Sequence, residues 1–186
     1  MRFENAQYQV EVIDEPFYGN ASNDQSRHYA IKYLVGEDFA NDTRYGVIAK
    51  NFYGASNSCL IVASGSGPKV HANSAIVLGN NLFLAIGNRV CCLELLSMSH
   101  QWQKRADRVA CFGIYISPDN EGIISHGECD ILRLSFGGKI EWTVTANDIF
   151  SEKLVLLPDR VIATSPNHEE YSIAISDGYI SQKDGT

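Results

Sequence analysis

A faint repeat of forty residues in the second half of the chain limits its architecture more than any other feature of the sequence. The run Ile131-Leu132-Arg133-Leu134-Ser135-Phe136-Gly137-Gly138-Lys139-Ile140-Glu141-Trp142 reads as strand, glycine turn, strand. Forty positions on, Ser172-Ile173-Ala174-Ile175-Ser176-Asp177-Gly178-Tyr179-Ile180 places Gly178 over Gly138 and Ile180 over Ile140. Upstream, Cys92-Leu93-Glu94-Leu95 followed by Trp102 forms a degenerate third copy, and Trp102 lies forty before Trp142. A period of this length marks small sheets, each needing neighbours to bury its faces. It specifies architecture and leaves chemistry open.

Size and composition fit one folded unit. A chain of 186 residues can bury one good core and is short for two domains. An apolar share of 45% with 20% charged residues is ordinary for a globular protein. The formal charge of −7 argues against nucleic acid or an anionic membrane surface as partner, and would suit a basic protein. No stretch approaches the ~20 apolar residues of a membrane helix, and the segment behind Met1-Arg2 lacks the apolar core of a secretory signal. Five cysteines, at 59, 91, 92, 111 and 129, include no CxxC pair. A disulfide framework is not expected, and a reducing cytoplasm fits. Cys91 and Cys92 are expected on opposite faces of one strand.

Along the chain, strand signals dominate. Tyr8, Val10 and Val12 alternate with polar residues as in a half-buried strand. A loop is expected over 14–25, then strands at Tyr29–Val35 and Tyr45–Ala49. The continuous apolar run Ser58–Ala63 predicts a strand covered on both faces. Ala75–Leu78, Leu82–Ile86 and Val90–Leu96 follow, separated by Gly/Asn turns. Ser99–Ala106 is the best helix candidate, in competition with a strand through Trp102. A single domain is expected over 1–186, with N-terminal strands in 1–50 covering repeats in 58–180.

Apolar strand, glycine turn and Trp-ended strand together resemble the blades of β-propellers, nearest to the quinoprotein-type repeat. Leu132, Leu134, Gly138, Ile140 and Trp142 carry the resemblance, and Ile173, Ile175, Gly178 and Ile180 repeat it with Gln182 at the Trp position. The copy ending at Trp102 lacks the glycine turn. The resemblance spans about residues 75–180 and implies an all-β fold: a small or incomplete propeller-like stack of antiparallel sheets, about three to four blades. It places no quinone-binding residue here, and no cofactor is expected.

Candidate chemistry is sparse. His126, Glu128 and Asp130 would share one face of an extended segment and could hold a divalent metal, but Gly127 favours a polar hairpin connection. Cys59 with His71, or Cys111 with His126, would need juxtaposition that no spacing demands, and a buried thiol is the plainer reading. The run Ser64-Gly65-Ser66-Gly67-Pro68-Lys69 lacks phosphate-loop spacing and reads as a turn. The basic patch around Trp102 reads as core aromatic with a solvated rim. Phe17, Tyr18, Phe39, Phe52 and Tyr53, on polar loops, are the partner-binding candidates. Together these favour a non-enzymatic protein-binding module, in its sharper form an immunity- or antitoxin-like inhibitor of a basic protein. The alternatives are a metal-dependent enzyme or small-ligand binder centred on His126 and Glu128, and a structural subunit of a larger β assembly.

Overall fold

The computed structural model describes residues 1–18, 27–150 and 152–182. Much of the loop expected over 14–25 lies outside them. Every regular element among the described residues is a strand, so no helix is long and apolar enough to cross a membrane.

Four sheets follow one another along the chain. The first holds β1 (Arg2–Glu4), β2 (Tyr8–Asp14), β3 (Ile31–Val35), β4 (Asp42–Asn51) and β5 (Ser56–Ser64), in the order β1-β2-β4-β5-β3. β3 runs parallel to β5, and the other pairs are antiparallel. The second is β6 (Ala75–Leu78), β7 (Asn81–Ile86), β8 (Arg89–Glu94) and β9 (His100–Arg105). The third is β10 (Cys111–Ile116), β11 (Gly122–Gly127), β12 (Asp130–Ser135) and β13 (Ile140–Thr145). The fourth is β14 (Val155–Leu156), β15 (Arg160–Thr164), β16 (Glu170–Ala174) and β17 (Ile180–Gln182). The last three are antiparallel meanders in chain order, which makes the fold an all-β, propeller-like stack.

Two sequence expectations change. Within 99–106 the structure has the strand His100–Arg105 and no helix, because Trp102 pairs opposite Cys92 in the ladder. The run at 58–63 is indeed buried on both faces, but it pairs with β4 and so belongs to the first sheet; regular four-stranded repetition starts at Ala75.

Each neighbouring pair of sheets closes over one apolar cluster. Val10, Val12, Val47 and Ile61 meet Leu82, Leu84 and Cys91 between the first and second sheets. Phe83, Val90 and Cys92 meet Ile114, Ile123 and Leu134 between the second and third. Ile124, Ile131 and Trp142 meet Val161, Tyr171 and Ile173 between the third and fourth. Cys91 and Cys92 thus serve different clusters, as strand alternation requires. Among the described residues no cluster joins the fourth sheet to the first.

Burial marks the position of each sheet in the series. β7, β8, β11 and β12 are buried almost throughout, because both faces are covered. In β15 and β16 burial alternates strictly. The outward face of the fourth sheet carries Arg160, Ile162, Thr164, Glu170, Ser172 and Ala174, a largely polar set suited to the end of a stack.

The forty-residue echo has a physical cause. The Trp102 indole lies on Gly138 of the next sheet and donates Nε1–H to the Phe136 carbonyl at 3.1 Å. Trp142 repeats this on Gly178, donating to the Ile175 carbonyl at 2.8 Å. A Cβ at Gly138 would sit 2.5 Å from the Trp102 ring, so glycine is required by contact as well as by its φ of +81°. The buried guanidinium of Arg133 strengthens the second contact, reaching Asp119 at 2.6 Å and the same Ile175 carbonyl at 3.0 Å.

The copy at 92–102 has the same turn without its glycine. Met98, forty before Gly138, takes φ +54° and Leu96 φ +67°. No indole lies on that turn; the Asn57 amide donates to the Leu96 carbonyl at 2.7 Å and the Tyr33 hydroxyl to the Met98 carbonyl at 2.8 Å. With hydrogen bonds in place of a flat ring, a Cβ is tolerated.

Candidate functional site

Antiparallel strands sort the connections onto two ends of the stack. The turns at 52–55, 79–80, 95–99, 136–139 and 175–179 fall on one, the turn end. The segments 36–41, 65–74, 87–88, 106–110, 128–129 and 146–154 fall on the other, the connection end.

Backbone hydrogen bonds staple the connection end from sheet to sheet. Asn88 N–H donates to the Ser64 carbonyl, Ala106 N–H to Asn88, Glu128 N–H to Ala110, and Phe150 N–H to Glu128. At the centre sits Asp107, 2% exposed. Its Oδ1 accepts from Val109 N–H at 2.6 Å and Ala110 N–H at 3.1 Å, and its Oδ2 accepts from Cys129 N–H and Asp130 N–H at 2.7 Å each. Four donors satisfy a carboxylate removed from water. Gly127 leaves room for it: a Cβ there would meet Oδ2. Sequence reasoning passed Asp107 over as one acidic residue in a basic patch. Its only sequence mark is an Asp two residues before the Val109 N–H that it caps, an Asx-type turn.

Two clefts open on this rigid end. One, about 400 Å³, lies between the first and second sheets and is lined by Arg89, Arg105, Arg108, Ser64, Glu37 and Asp38 among others. The second, about 360 Å³, is lined by His71, His126, Phe112, Tyr115, Glu152 and Lys153, with Pro68 and Leu154. Both of its imidazoles hold main-chain atoms. His71 Nε2 lies 2.7 Å from the Phe112 carbonyl, while its Nδ1 accepts from Asn73 N–H at 3.3 Å. His126 Nε2 lies 3.1 Å from the Phe150 carbonyl, and its ring meets Phe112 edge to face at 5.6 Å. Burial pushes the His126 imidazole below its ordinary value, because the charged form loses its hydration.

The segment carrying His126, Glu128 and Asp130 is not extended. β11 ends at Gly127 and β12 begins at Asp130, with Glu128 and Cys129 in the hairpin between, so the assumed alternation fails. Asp130 instead accepts from the Thr145 hydroxyl at 2.6 Å and lies 3.9 Å from Arg108. Among the described residues no group of three His, Cys, Asp or Glu side chains is placed to hold a metal. Cys111 Sγ lies against the Gly113 carbonyl at 3.7 Å and Ser125 Oγ at 3.6 Å, not against His126. All five thiols are buried and free. Desolvation pushes Cys59, Cys91 and Cys92 up to about 12 and Cys111 to about 11.

The five candidate aromatics do not form one surface. Phe17 is exposed after β2, while Tyr18 is half-buried against Tyr29 at 5.4 Å. Phe39 is half-buried in the 36–41 loop. Phe52 and Tyr53 stand at the opposite, turn end, 58% and 96% exposed.

With this geometry the molecule falls into the class of propeller-like sheet stacks. No protein-family model matches the chain, and no curated protein does. Among solved structures it is similar to the crystal structure of BamB from Moraxella catarrhalis, with a TM-score of 0.49 and 14% identity over 81% of this chain and 51% of that one. The chain therefore spans about half the length of that protein.

Proposed function

We propose that the chain is a non-enzymatic protein-binding module that engages its partner through the tip of the β4–β5 hairpin. The observation carrying this reading is a preorganised pair of bare aromatic rings. Asn51 Oδ1 accepts from Tyr53 N–H at 3.0 Å and Ala55 N–H at 2.8 Å, Asn51 N–H donates to the Ala55 carbonyl at 2.9 Å, and Gly54 turns the chain at φ +91°. The tip is thus fixed before binding while Phe52 and Tyr53 remain largely in solvent. Large rings on a rigid loop supply contact area at small entropic loss.

The net charge of −7 supports a basic protein as partner, and with it the sharper reading of an inhibitor that covers a basic working surface. Five free, buried cysteines support a reducing, cytoplasmic setting. We also read the sheets as quinoprotein-type blades, on the two Trp-over-glycine contacts, with no quinone implied.

Co-purification from the native host tests the proposal. Wild-type protein should retain a stoichiometric partner that elutes with rising salt, and the double variant Phe52→Ala/Tyr53→Ala should lose it at unchanged melting temperature. A partner retained by the folded double variant, or none held by the wild type, would overturn the reading.

A further inference from the structure

The arginine cleft on the connection end has charge chemistry unlike the rest of the molecule. Arg27, Arg44, Arg133 and Arg160 each have a carboxylate within 3.4 Å. The three arginines lining the cleft do not. Arg89 donates only to neutral oxygens, Ser64 Oγ at 3.3 Å and Gln103 Oε1 at 3.5 Å. Arg105 donates to the Asp107 and Arg108 carbonyls at 3.0 and 3.3 Å. Arg108 comes no closer than 3.9 Å to Asp130, whose other oxygen is held by Thr145. Among the described residues, three cations thus line one cleft of about 400 Å³ with no carboxylate within 3.4 Å of any of them, in a chain of net charge −7.

Their positions are set by the fold. Arg89 opens β8 and Arg105 ends β9, paired directly across the ladder, so both heads emerge at the same end of the second sheet. Backbone carbonyls of the stapled 106–110 segment orient the Arg105 guanidinium. Ser64, Gly65 and Ser66 form a wall of the cleft that Arg89 touches through Ser64 Oγ. That wall approaches closely: a Cβ on Gly65 would meet the Asn88 backbone N at 2.9 Å, and one on Gly87 would strike the Ser64 carbonyl. The Ser-Gly run that reads as an ordinary turn in sequence is therefore one side of a cationic cavity.

Glu37 and Asp38 line the same cleft. Two carboxylates there would repel a long polyanion, which excludes a nucleic-acid strand, while accepting hydrogen bonds from hydroxyl or ammonium groups. A single carboxylate ligand would be satisfied by one bidentate arginine. Three guanidiniums match the three oxygens and two charges of a phosphate monoester. We propose that this cleft binds a small phosphate monoester, its phosphate held by Arg89, Arg105 and Arg108 and its hydroxyl or ammonium end facing Glu37 and Asp38. The cavity lies within the size range of small-ligand sites.

The site stands at the opposite end from Phe52 and Tyr53, so its test is independent of the partner-binding reading. Isothermal titration at constant ionic strength would use inorganic phosphate and phosphoethanolamine as probes on the full chain. Saturable 1:1 binding of both is expected, tighter for phosphoethanolamine. Arg105→Gln/Arg108→Gln, both solvent-exposed positions, should weaken phosphate binding at least about tenfold at unchanged melting temperature. Arg160→Gln, on the fourth sheet, should leave binding intact. Absence of saturable binding to the wild type up to about 10 mM, or equal affinity in the folded double variant, would overturn the proposal. Equal affinity for the two probes would overturn the role given to Glu37 and Asp38.

Discussion

Gly138→Ala measures how much of the stack is held by an indole lying on a glycine. At φ +81° any L side chain is strained, by roughly 1–2 kcal/mol. A smaller loss of unfolded-chain entropy offsets about 0.4–1 kcal/mol of that. The new methyl carbon would lie 2.5 Å from Trp102 Cδ2 and 2.9 Å from Cε2 and Cε3, well inside van der Waals contact. The indole must retreat by about an ångström. That stretches its 3.1 Å hydrogen bond to the Phe136 carbonyl and disturbs its packing on Phe83 at 5.9 Å. Overpacking contributes about 1–3 kcal/mol and the weakened hydrogen bond about 0.5–1. A total loss of about 3–4 kcal/mol is expected.

Gly79→Ala is the internal control. Gly79 has φ +56° and open space within 4 Å of the added carbon, so it carries the backbone strain without the clash and should lose about 1 kcal/mol or less. Urea unfolding followed by far-UV circular dichroism gives both values, with Trp emission reporting the local change. In a cycle with Trp102→Leu, the Gly138→Ala penalty should fall toward the Gly79→Ala value, because the ring it strikes is gone. Equal losses at Gly138 and Gly79, or a Gly138→Ala penalty unchanged by Trp102→Leu, would refute the docking argument.

Asp107→Ala leaves four backbone N–H groups, three of them buried, without an acceptor and should lower stability by about 3–5 kcal/mol. Asp107→Asn, which keeps acceptor capacity on one side only, should fall between it and the wild type in the same urea assay. Burial holds the His126 imidazole below 6.5, so below that pH the unfolded chain binds more protons than the folded one. Its contribution is complete above pH 6.5 and is lost as pH falls toward the folded value; His126→Gln should flatten the decline in urea midpoint between pH 7.5 and 5.5, and an unchanged slope would count against this assignment. With Cys59, Cys91, Cys92 and Cys111 buried and their thiols raised to about 11–12, a disulfide reagent at pH 8 should leave these four unmodified in the native protein and label them on unfolding.

Strand periodicity carried most of the fold. Alternation at Tyr8, Val10 and Val12, the two-sided run at 58–63, and the paired cysteines at 91 and 92 all describe what one strand buries, and burial is written directly into residue type. β1, three residues with one half-buried Phe3, left too short a pattern to detect. The helix alternative at 99–106 survived in sequence because a ladder partner cannot be seen from local propensity; Trp102 becomes strand through Cys92, ten residues earlier and opposite it. The extended segment expected through His126, Glu128 and Asp130 is absent for the converse reason. A two-residue hairpin inside the cluster reverses the chain, and alternation holds only within one strand.

The order of residues along the chain carries a repeated small sheet, its forty-residue period, and the glycine and tryptophan that recur in it. Their contact comes from the stacking of the sheets, since Trp102 and Gly138 belong to different sheets and meet across the seam between them. Stacking likewise lets Asp107 collect four amides and brings Arg89, Arg105 and Arg108 to one cleft with Ser64, Gly65 and Ser66. Local pattern records which side of a strand meets water. Which groups meet each other depends on how the sheets stack, and that is a property of the packed chain.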